Sequence, residues 1–395
     1  MPGTRELFLR YLAQTSDSPI GLEIEKAEGV YLYGKNGKKY IDLISGISVS
    51  NLGHRHPAVV KAIKDQVDKY MHLMVYGEYI QAPQVQLAQL LAENLPSNLS
   101  CTYFVNSGSE AVEGALKLAK RYTGKSEIIA FKNAYHGSSH GSLSVMGNEN
   151  FKNSYRPLLP DVKFLEYNDI EQLDNISSQT ACVIAEAIQG EAGVIVPTNE
   201  FLSSLRNKCN ETGALLIIDE VQTGFGRTGT LFGFQQTSIV PDIICIAKGM
   251  GGGLPIGAFI SSKEIMSTLS FNPILGHITT FGGNPVCCAS SLAVLQTLLN
   301  GNIINDVKNK EKLIREKLKH PKIKSIRGRG LLLAVEFEKA EFNLSLITKC
   351  IQNGVIVDWF LFADNFMRIV PPLTISIKEI ENACEIIIKV LNEFS

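Results

Sequence analysis

The chain has 395 residues, 45% hydrophobic and 19% charged; 38 Lys plus Arg stand against 39 Asp plus Glu, a formal net charge of −1. At a soft prior of about 150 residues per domain this is two or three structural units, or one large α/β unit with an appendage. The charge balance argues against nucleic acid as a partner, and the apolar content argues against disorder. The N-terminal MPGTRELFLRYLAQT lacks the basic start, apolar stretch and cleavage site of a signal peptide. No apolar run approaches the roughly 18 residues of a membrane span. Eight scattered cysteines show no C-x-x-C spacing, and most sit in apolar stretches such as CVIAEA and DIICIA, where cysteine packs as a small hydrophobe. A reduced, cytoplasmic protein with no disulfide framework and no metal site is expected.

In chain order, VYLYGKNGKKYIDLIS carries Asn36-Gly37 between apolar-aromatic runs, a hairpin signal. PAVVKAIKDQVDKYMHLM and PQVQLAQLLAENL predict helices, each opening with Pro. Seven short apolar runs follow, each leading into a polar or Gly-rich turn: CTYFV, SEIIAF, VKFLEY, ACVIAEAI, ALLIID, DIICIA and GAFISS. Helical periods such as AVEGALKLAKRY and EFLSSLRNKCNETG lie between several of them. Such runs predict strands of a mostly parallel sheet, buried on both faces and flanked by helices. After about residue 285 come a long helical stretch, the strand RGRGLLLAVEFE, the extended pieces VIVDWF and MRIVPPL, and a final amphipathic helix with a Ser N-cap candidate. The expected fold class is α/β: residues 51–285 form the large domain, and residues 1–50 and 286–395 together form a small α+β domain.

Ligands of an open parallel sheet sit at the C-terminal ends of its strands. Three such ends carry suggestive residues. Asn106-Ser107-Gly108-Ser109-Glu110 joins a strand to a helix start, where backbone N–H groups, the helix dipole and a hydroxyl can hold a phosphate. Alone, it reads more readily as an ordinary capped helix. Asp219 ends ALLIID; a buried carboxylate there needs a partner, either a protonated ring nitrogen or a salt bridge or turn. Lys248 ends DIICIA and precedes four glycines within five residues. It reads either as a solvated charge or as an amine of lowered pKa able to form a Schiff base. Together the three match pyridoxal phosphate, which offers a phosphate, a ring nitrogen and an aldehyde.

The stretches NSGSEAVEGALKLAKRYTG, YHGSSHGSLSVMG, EAIQGEAGVIVP, LLIIDEVQTGFGRTGTLFGF, PDIICIAKGMGGGLPIGAF, TTFGGNP, RGRGLLLAVEF and MRIVPPL resemble, as a set, the class III pyridoxal-phosphate-dependent aminotransferases. The resemblance runs from about residue 20 to the end and is closest to the acetylornithine, ornithine and 4-aminobutyrate branch. It implies the aspartate-aminotransferase-like fold and a homodimer with shared sites, without nucleic acid or membrane partners. It implies that Lys248 carries the cofactor aldehyde and later moves a proton, that Asp219 pairs with the ring nitrogen, and that Gln222 bonds the ring hydroxyl. Ser107, Gly108 and Ser109 hold the phosphate, Tyr135 covers the ring, and His136 and Val221 complete the cofactor's surroundings. Thr280 reaches the neighbouring subunit's cofactor. Glu191 and Arg368 form a switchable pair for a substrate carboxylate, with Thr279 and Ser138 also facing substrate.

Two positions depart from the family pattern. Ser138 stands where ornithine-type enzymes carry an arginine, and Ile47 where they carry a tyrosine. The implied reaction is transfer of an amino group from an ω-amino donor such as N-acetylornithine, ornithine or 4-aminobutyrate to 2-oxoglutarate, by a ping-pong route. The alternatives are an amine or β-amino-acid:pyruvate transaminase, an aminomutase, or a non-catalytic protein that keeps the fold. His54, His56, His136, His140, Glu220 and Arg227 are expected to be structural, Cys287 and Cys288 to pack a helix, and Trp359 and Phe360 to be core aromatics or, being close in sequence to Arg368, part of a pocket wall.

Overall fold

The computed structural model describes residues 3–35 and 37–394. Its central feature is a seven-stranded sheet made from the seven predicted runs. The chain begins with α1 (Thr4–Tyr11), β1 (Ile24–Glu28), β2 (Tyr31–Gly34), β3 (Lys39–Asp42), the short turn α2 (Ser45–Ser48), α3 (Pro57–Val67) and α4 (Ala82–Glu93). The central region follows with β4 (Cys101–Val105), α5 (Gly108–Thr123), β5 (Glu127–Phe131), α6 (His140–Ser144), β6 (Val162–Leu165), β7 (Thr180–Glu186), α7 (Asn199–Thr212), β8 (Leu215–Asp219), β9 (Ile243–Ile246), β10 (Gly257–Ser261) and α8 (Lys263–Ser267). The C-terminal part comprises α9 (Pro285–Asn300), α10 (Ile303–Lys317), β11 (Ser325–Arg329), β12 (Leu332–Glu336), α11 (Ala340–Gln352), β13 (Val355–Ile356), β14 (Asp358–Phe360), β15 (Ala363–Ile369) and α12 (Ile377–Asn392).

The large sheet has the order β4-β10-β9-β8-β7-β5-β6. Neighbours are parallel except β10, which runs antiparallel to both β4 and β9. Strands β7 to β10 are buried along their whole length, which is why they read as unbroken apolar runs. Helix α5 lies close on this sheet: a Cβ on Gly114 would fall 2.2 Å from the Phe259 ring. Its ends carry the expected signals, Ser107 accepting from the Glu110 N–H and Gly124 in the left-handed conformation. The Ser376 N-cap of α12 forms a full capping box with Glu379.

Two smaller sheets complete the molecule. One joins both chain ends, in the order β1-β2-β3-β13, with β13 parallel to β3; the other is antiparallel, β11-β12-β15-β14. The β2–β3 hairpin forms as read from the turn signal, although Asn36 lies outside the described residues. The predicted helix over 57–74 stops at Val67 instead. Continuing it would give Met71, Leu73 and Met74 no core to enter, and they stay exposed. Side-chain amides of Gln66, Gln81 and Asn284 instead take the carbonyls of Tyr70, Met74 and Met71. Among the described residues no single helix is long and apolar enough to cross a membrane; α9 and α10 pass together on length and composition but bend by 72°.

Candidate active site

The C-terminal ends of β4, β7, β8 and β9 surround a cavity of about 420 Å³. Ser107, Gly108, Ser109, Tyr135, His136, Asp219, Val221, Gln222 and Lys248 all line it, so topology brings together the predicted cofactor residues other than Thr280. The cup at the start of α5 is tightly set. Asn106 is held by the Glu110 carboxylate through its N–H (2.7 Å) and its amide (2.9 Å). A Cβ on Gly108 would fall 2.8 Å from Val221, and one on Gly137 2.1 Å from Ser109 Oγ. Only glycine lets these turns interlock, and Gly137 also has φ +121°. The Ser138 N–H donates to Ser109 Oγ at 3.3 Å.

Asp219 is buried at the end of β8. Its Oδ1 accepts from the Val221 N–H (2.9 Å) and its Oδ2 lies 2.8 Å from His136 Nδ1. His136 is buried as well, and its Nε2 has no partner among the described residues. Gln222 donates to Glu191 Oε1 at 3.2 Å, and its own buried Oε1 has no donor among them. Lys248 has φ +47° and opens a tight turn rich in glycine, a strained backbone of the kind found at functional sites. No hydrogen bond or ion pair engages its amine among the described residues. Burial lowers its pKa, and the like charge of Arg368 adds to this against the opposing pull of Glu191, Asp219 and Glu186. An amine so placed is more readily neutral, the form that attacks carbonyls and takes up protons.

One lining residue escaped the sequence reading. Glu186 ends β7 in register with Asp219 and accepts from the N–H groups of Gly190 (3.1 Å) and Tyr135 (3.2 Å). Burial, then the charge of Asp219, push its carboxyl well above the usual range. The strand-end position that marked Asp219 would have found it.

Glu191 and Arg368 meet beyond Gln222. Arg368, 2% exposed, forks onto Glu191 with NH1–Oε1 3.0 Å and NH2–Oε2 2.7 Å. Burial opposes ionisation of Glu191, but the Arg368 charge and hydrogen bonds outweigh it and hold the carboxyl below its usual range.

The remaining expectations divide. Thr279 and Thr280 stand outside this cavity: Thr279 accepts from the Asn106 amide at 3.0 Å, and Thr280 is exposed. The Ser138 hydroxyl lies 3.1 Å from the Tyr135 hydroxyl. Ile47 is 39% exposed, within four consecutive positive-φ residues, Ser45 to Ser48, a conformation rare for a β-branched side chain. Arg227 is fully buried and donates to the carbonyls of Leu331 and Pro371 and to Asn51. Glu220 caps the Gly233 and Phe234 N–H groups; both residues tie segments together. His54 reaches Asp42 at 2.8 Å, whereas His56 leaves Nδ1 buried without a partner among the described residues. Phe360 is a core aromatic; Trp359 is not, being 37% exposed because it faces outward from β14.

The family model for class III aminotransferases matches residues 11–391. An acetylornithine aminotransferase of Clostridium acetobutylicum is 41% identical over 377 residues, covering 92% of this chain and 95% of that one. One of Methanopyrus kandleri is 40% identical over 385 residues, covering 96% of each. Among solved structures, the ornithine aminotransferase of Toxoplasma gondii superposes with a TM-score of 0.91 at 29% identity, covering 98% of this chain and 92% of that one. A thermostable (S)-enantioselective omega-transaminase of Thermomicrobium roseum gives 0.90 at 29%, covering 98% and 97%.

The residues present fit the cofactor of that family. The cavity offers an anion cup, a buried carboxylate, an acceptor without a donor at Gln222 Oε1 and an unengaged amine. Those are complements for the phosphate, ring nitrogen, ring hydroxyl and aldehyde of pyridoxal phosphate. A non-catalytic reading is thereby set aside. The chain belongs to the class III aminotransferases, enzymes that work with pyridoxal 5′-phosphate.

Proposed function

We propose that this aminotransferase moves an amino group from an ω-amino donor of the N-acetylornithine, ornithine or 4-aminobutyrate type to 2-oxoglutarate, giving glutamate, in two half-reactions at one site. The observation that carries this is the convergence of Lys248, the Asp219–His136 pair and the Ser107–Ser109 cup on one cavity, with the Arg368–Glu191 fork behind Gln222. When bound, the cofactor supplies an aldehyde that takes the amino group and a protonated ring that draws electrons from the substrate carbon.

The chain's own residues then have distinct tasks. Ser107, Gly108 and Ser109 bind the phosphate through backbone N–H groups and a hydroxyl. The Asp219 carboxylate keeps the ring nitrogen protonated, and His136, hydrogen-bonded to it, fixes its orientation. Gln222 Oε1 accepts from the ring hydroxyl. Tyr135 covers one ring face, with Val221 on the side of the cup. Lys248 would be the amine that meets the cofactor's aldehyde, and the same amine, held in the cavity, would move a proton at the substrate carbon. Arg368 binds the acceptor carboxylate in a fork when Glu191 gives way, and Glu191 neutralises it otherwise.

Met71, Ile80, Ile274 and Phe281 carry exposed apolar side chains, and Phe281, next to Thr280 in sequence, has His72 packed on it at 4.9 Å. Exposed apolar surface of this kind supports a homodimer in which Thr280 serves the partner subunit's site. Small-molecule donor and oxo acid are the remaining partners. Eight free cysteines support a reducing, cytoplasmic setting. The β3–β13 pairing supports a small domain built from residues 1–50 and 286–395 around the large one at 51–285.

A screen of amino donors and oxo acceptors on the purified holoenzyme tests the reading. Preferred turnover of N-acetylornithine with 2-oxoglutarate is expected; no turnover of any ω-amino acid overturns it. Arg368→Ala is expected to raise the KM for 2-oxoglutarate about 100-fold, the scale of a lost buried Arg–carboxylate pair. An unchanged KM removes the arginine from the acceptor site.

The Ser138–Tyr135 contact favours a second reading, an amine or β-amino-acid:pyruvate transaminase or an aminomutase, because a serine offers no charged grip on a donor carboxylate. Fast turnover of carboxylate-free amines in the same screen would establish it. Under the first reading, Ser138→Arg is expected to raise kcat/KM for N-acetylornithine about tenfold through a new charged fork. A fall would show that the donor carboxylate is held elsewhere.

A further inference from the structure

Five consecutive residues hold both members of the Arg368–Glu191 pair. Asp358 is the cross-strand register partner of Arg368, with Oδ1 3.1 Å from Nε. The Trp359 carbonyl accepts from NH2 at 3.0 Å, and the Phe360 ring centre lies 4.4 Å from the guanidinium carbon. The next two residues hold the glutamate. The Leu361 N–H donates to Oε2, and the Phe362 N–H donates to the Glu191 carbonyl, each at 3.1 Å. Strand β14 therefore grips the arginine, and the turn after it grips the counter-ion.

The guanidinium has two working edges. Its NH1–NH2 edge forks onto Glu191, while its Nε edge faces Asp358. Nε and Asp358 Oδ1 are both buried, and neither has an aligned hydrogen-bond partner despite their closeness. An unsatisfied donor opposite an unsatisfied acceptor costs free energy, and a small turn of the guanidinium plane would join them. The fork to Glu191 sets the present plane. A buried arginine that lost Glu191 with no second counter-ion would stand as an uncompensated charge.

We propose that Asp358 is the fixed counter-ion of Arg368, a positioning residue that keeps the guanidinium oriented while a substrate carboxylate replaces Glu191 on the fork edge. This rests on the reading of Arg368 as the acceptor's carboxylate site. Asp358 repels Glu191 and an incoming carboxylate alike, so its charge does not favour one over the other. Once Glu191 leaves, it takes over in confining the plane of the arginine, so that the fork edge is presented to the incoming carboxylate. A carboxyl is an expensive choice here: burial, with Glu191 and Asp42 adding to it against Arg368, pushes Asp358 up to about 7.

The test uses cofactor-loaded Asp358→Asn, with the two half-reactions measured separately. The KM for 2-oxoglutarate is expected to rise about tenfold, the scale of one lost charge-assisted hydrogen bond. The KM for butanal, an acceptor without a carboxylate, is expected to change less than twofold. An unchanged KM for 2-oxoglutarate overturns the proposal. A fall does so too, since Asp358 would then be only a repelling charge. Arg368→Ala, run in parallel, separates the two readings. If it leaves the 2-oxoglutarate KM unchanged, the arginine assignment fails. If it raises that KM and Asp358→Asn does not, only the role of Asp358 fails. Should Asp358→Asn give no cofactor-loaded protein, Asp358→Glu keeps the charge but cannot sit in the same place, and a several-fold rise is expected; an unchanged KM overturns the proposal.

Discussion

Lys248→Ala is expected to lower turnover at least about 10⁴-fold, because the proposed assignment gives a single side chain both the covalent link and the proton transfer. The visible absorbance of the loaded protein should shift to that of non-covalently held cofactor. Stability should change little, since the amine has no hydrogen-bond partner among the described residues and its burial works against its charge. Alanine also suits the positive φ of this position no worse than lysine does. Turnover within tenfold of the wild type would end the assignment of Lys248, and a melting temperature lowered by many degrees would show that the lysine holds the fold.

Asp219→Asn is expected to reduce kcat about 10²–10³-fold, the scale of one lost preorganised electrostatic contact. The geometry shows why the protein tolerates the change. Val221 N–H is a fixed donor to Oδ1, so the asparagine oxygen stays there and its amide turns toward His136. Nδ1 of His136 then accepts from that amide, and the proton moves to Nε2, which has no partner now. The hydrogen bonds survive while the negative charge goes. Stopped-flow kcat and cofactor titration by absorbance would check this, with cofactor affinity expected to fall alongside kcat. A kcat reduced less than threefold would mean that the ring nitrogen does not depend on Asp219.

Much of this arrangement was legible from local chemistry. The seven strands were readable because burial on both faces demands unbroken apolar runs. The cup, which alone reads as an ordinary helix cap, was readable together with Asp219 and Lys248, because polar residues at several strand ends of one parallel sheet face the same crevice. Glu186 obeys the same rule and went unnoticed. The helix over 57–74 was overextended because Met71, Leu73 and Met74 mimic a helical apolar stripe, although they lie on the surface.

By itself, the sequence determined the α/β class, through side-chain periodicity, turn residues and strand ends, and, through its resemblance to known enzymes, the family to which the chain belongs. It also pointed to most residues that line the cavity, although Glu186 was missed and Thr280 stands outside. Tertiary structure alone decided His136 against Asp219, Glu186 under the N–H groups of two turns, and Asp358 on the far edge of Arg368. Those contacts join residues up to 83 positions apart, and only strand order and register bring them within reach.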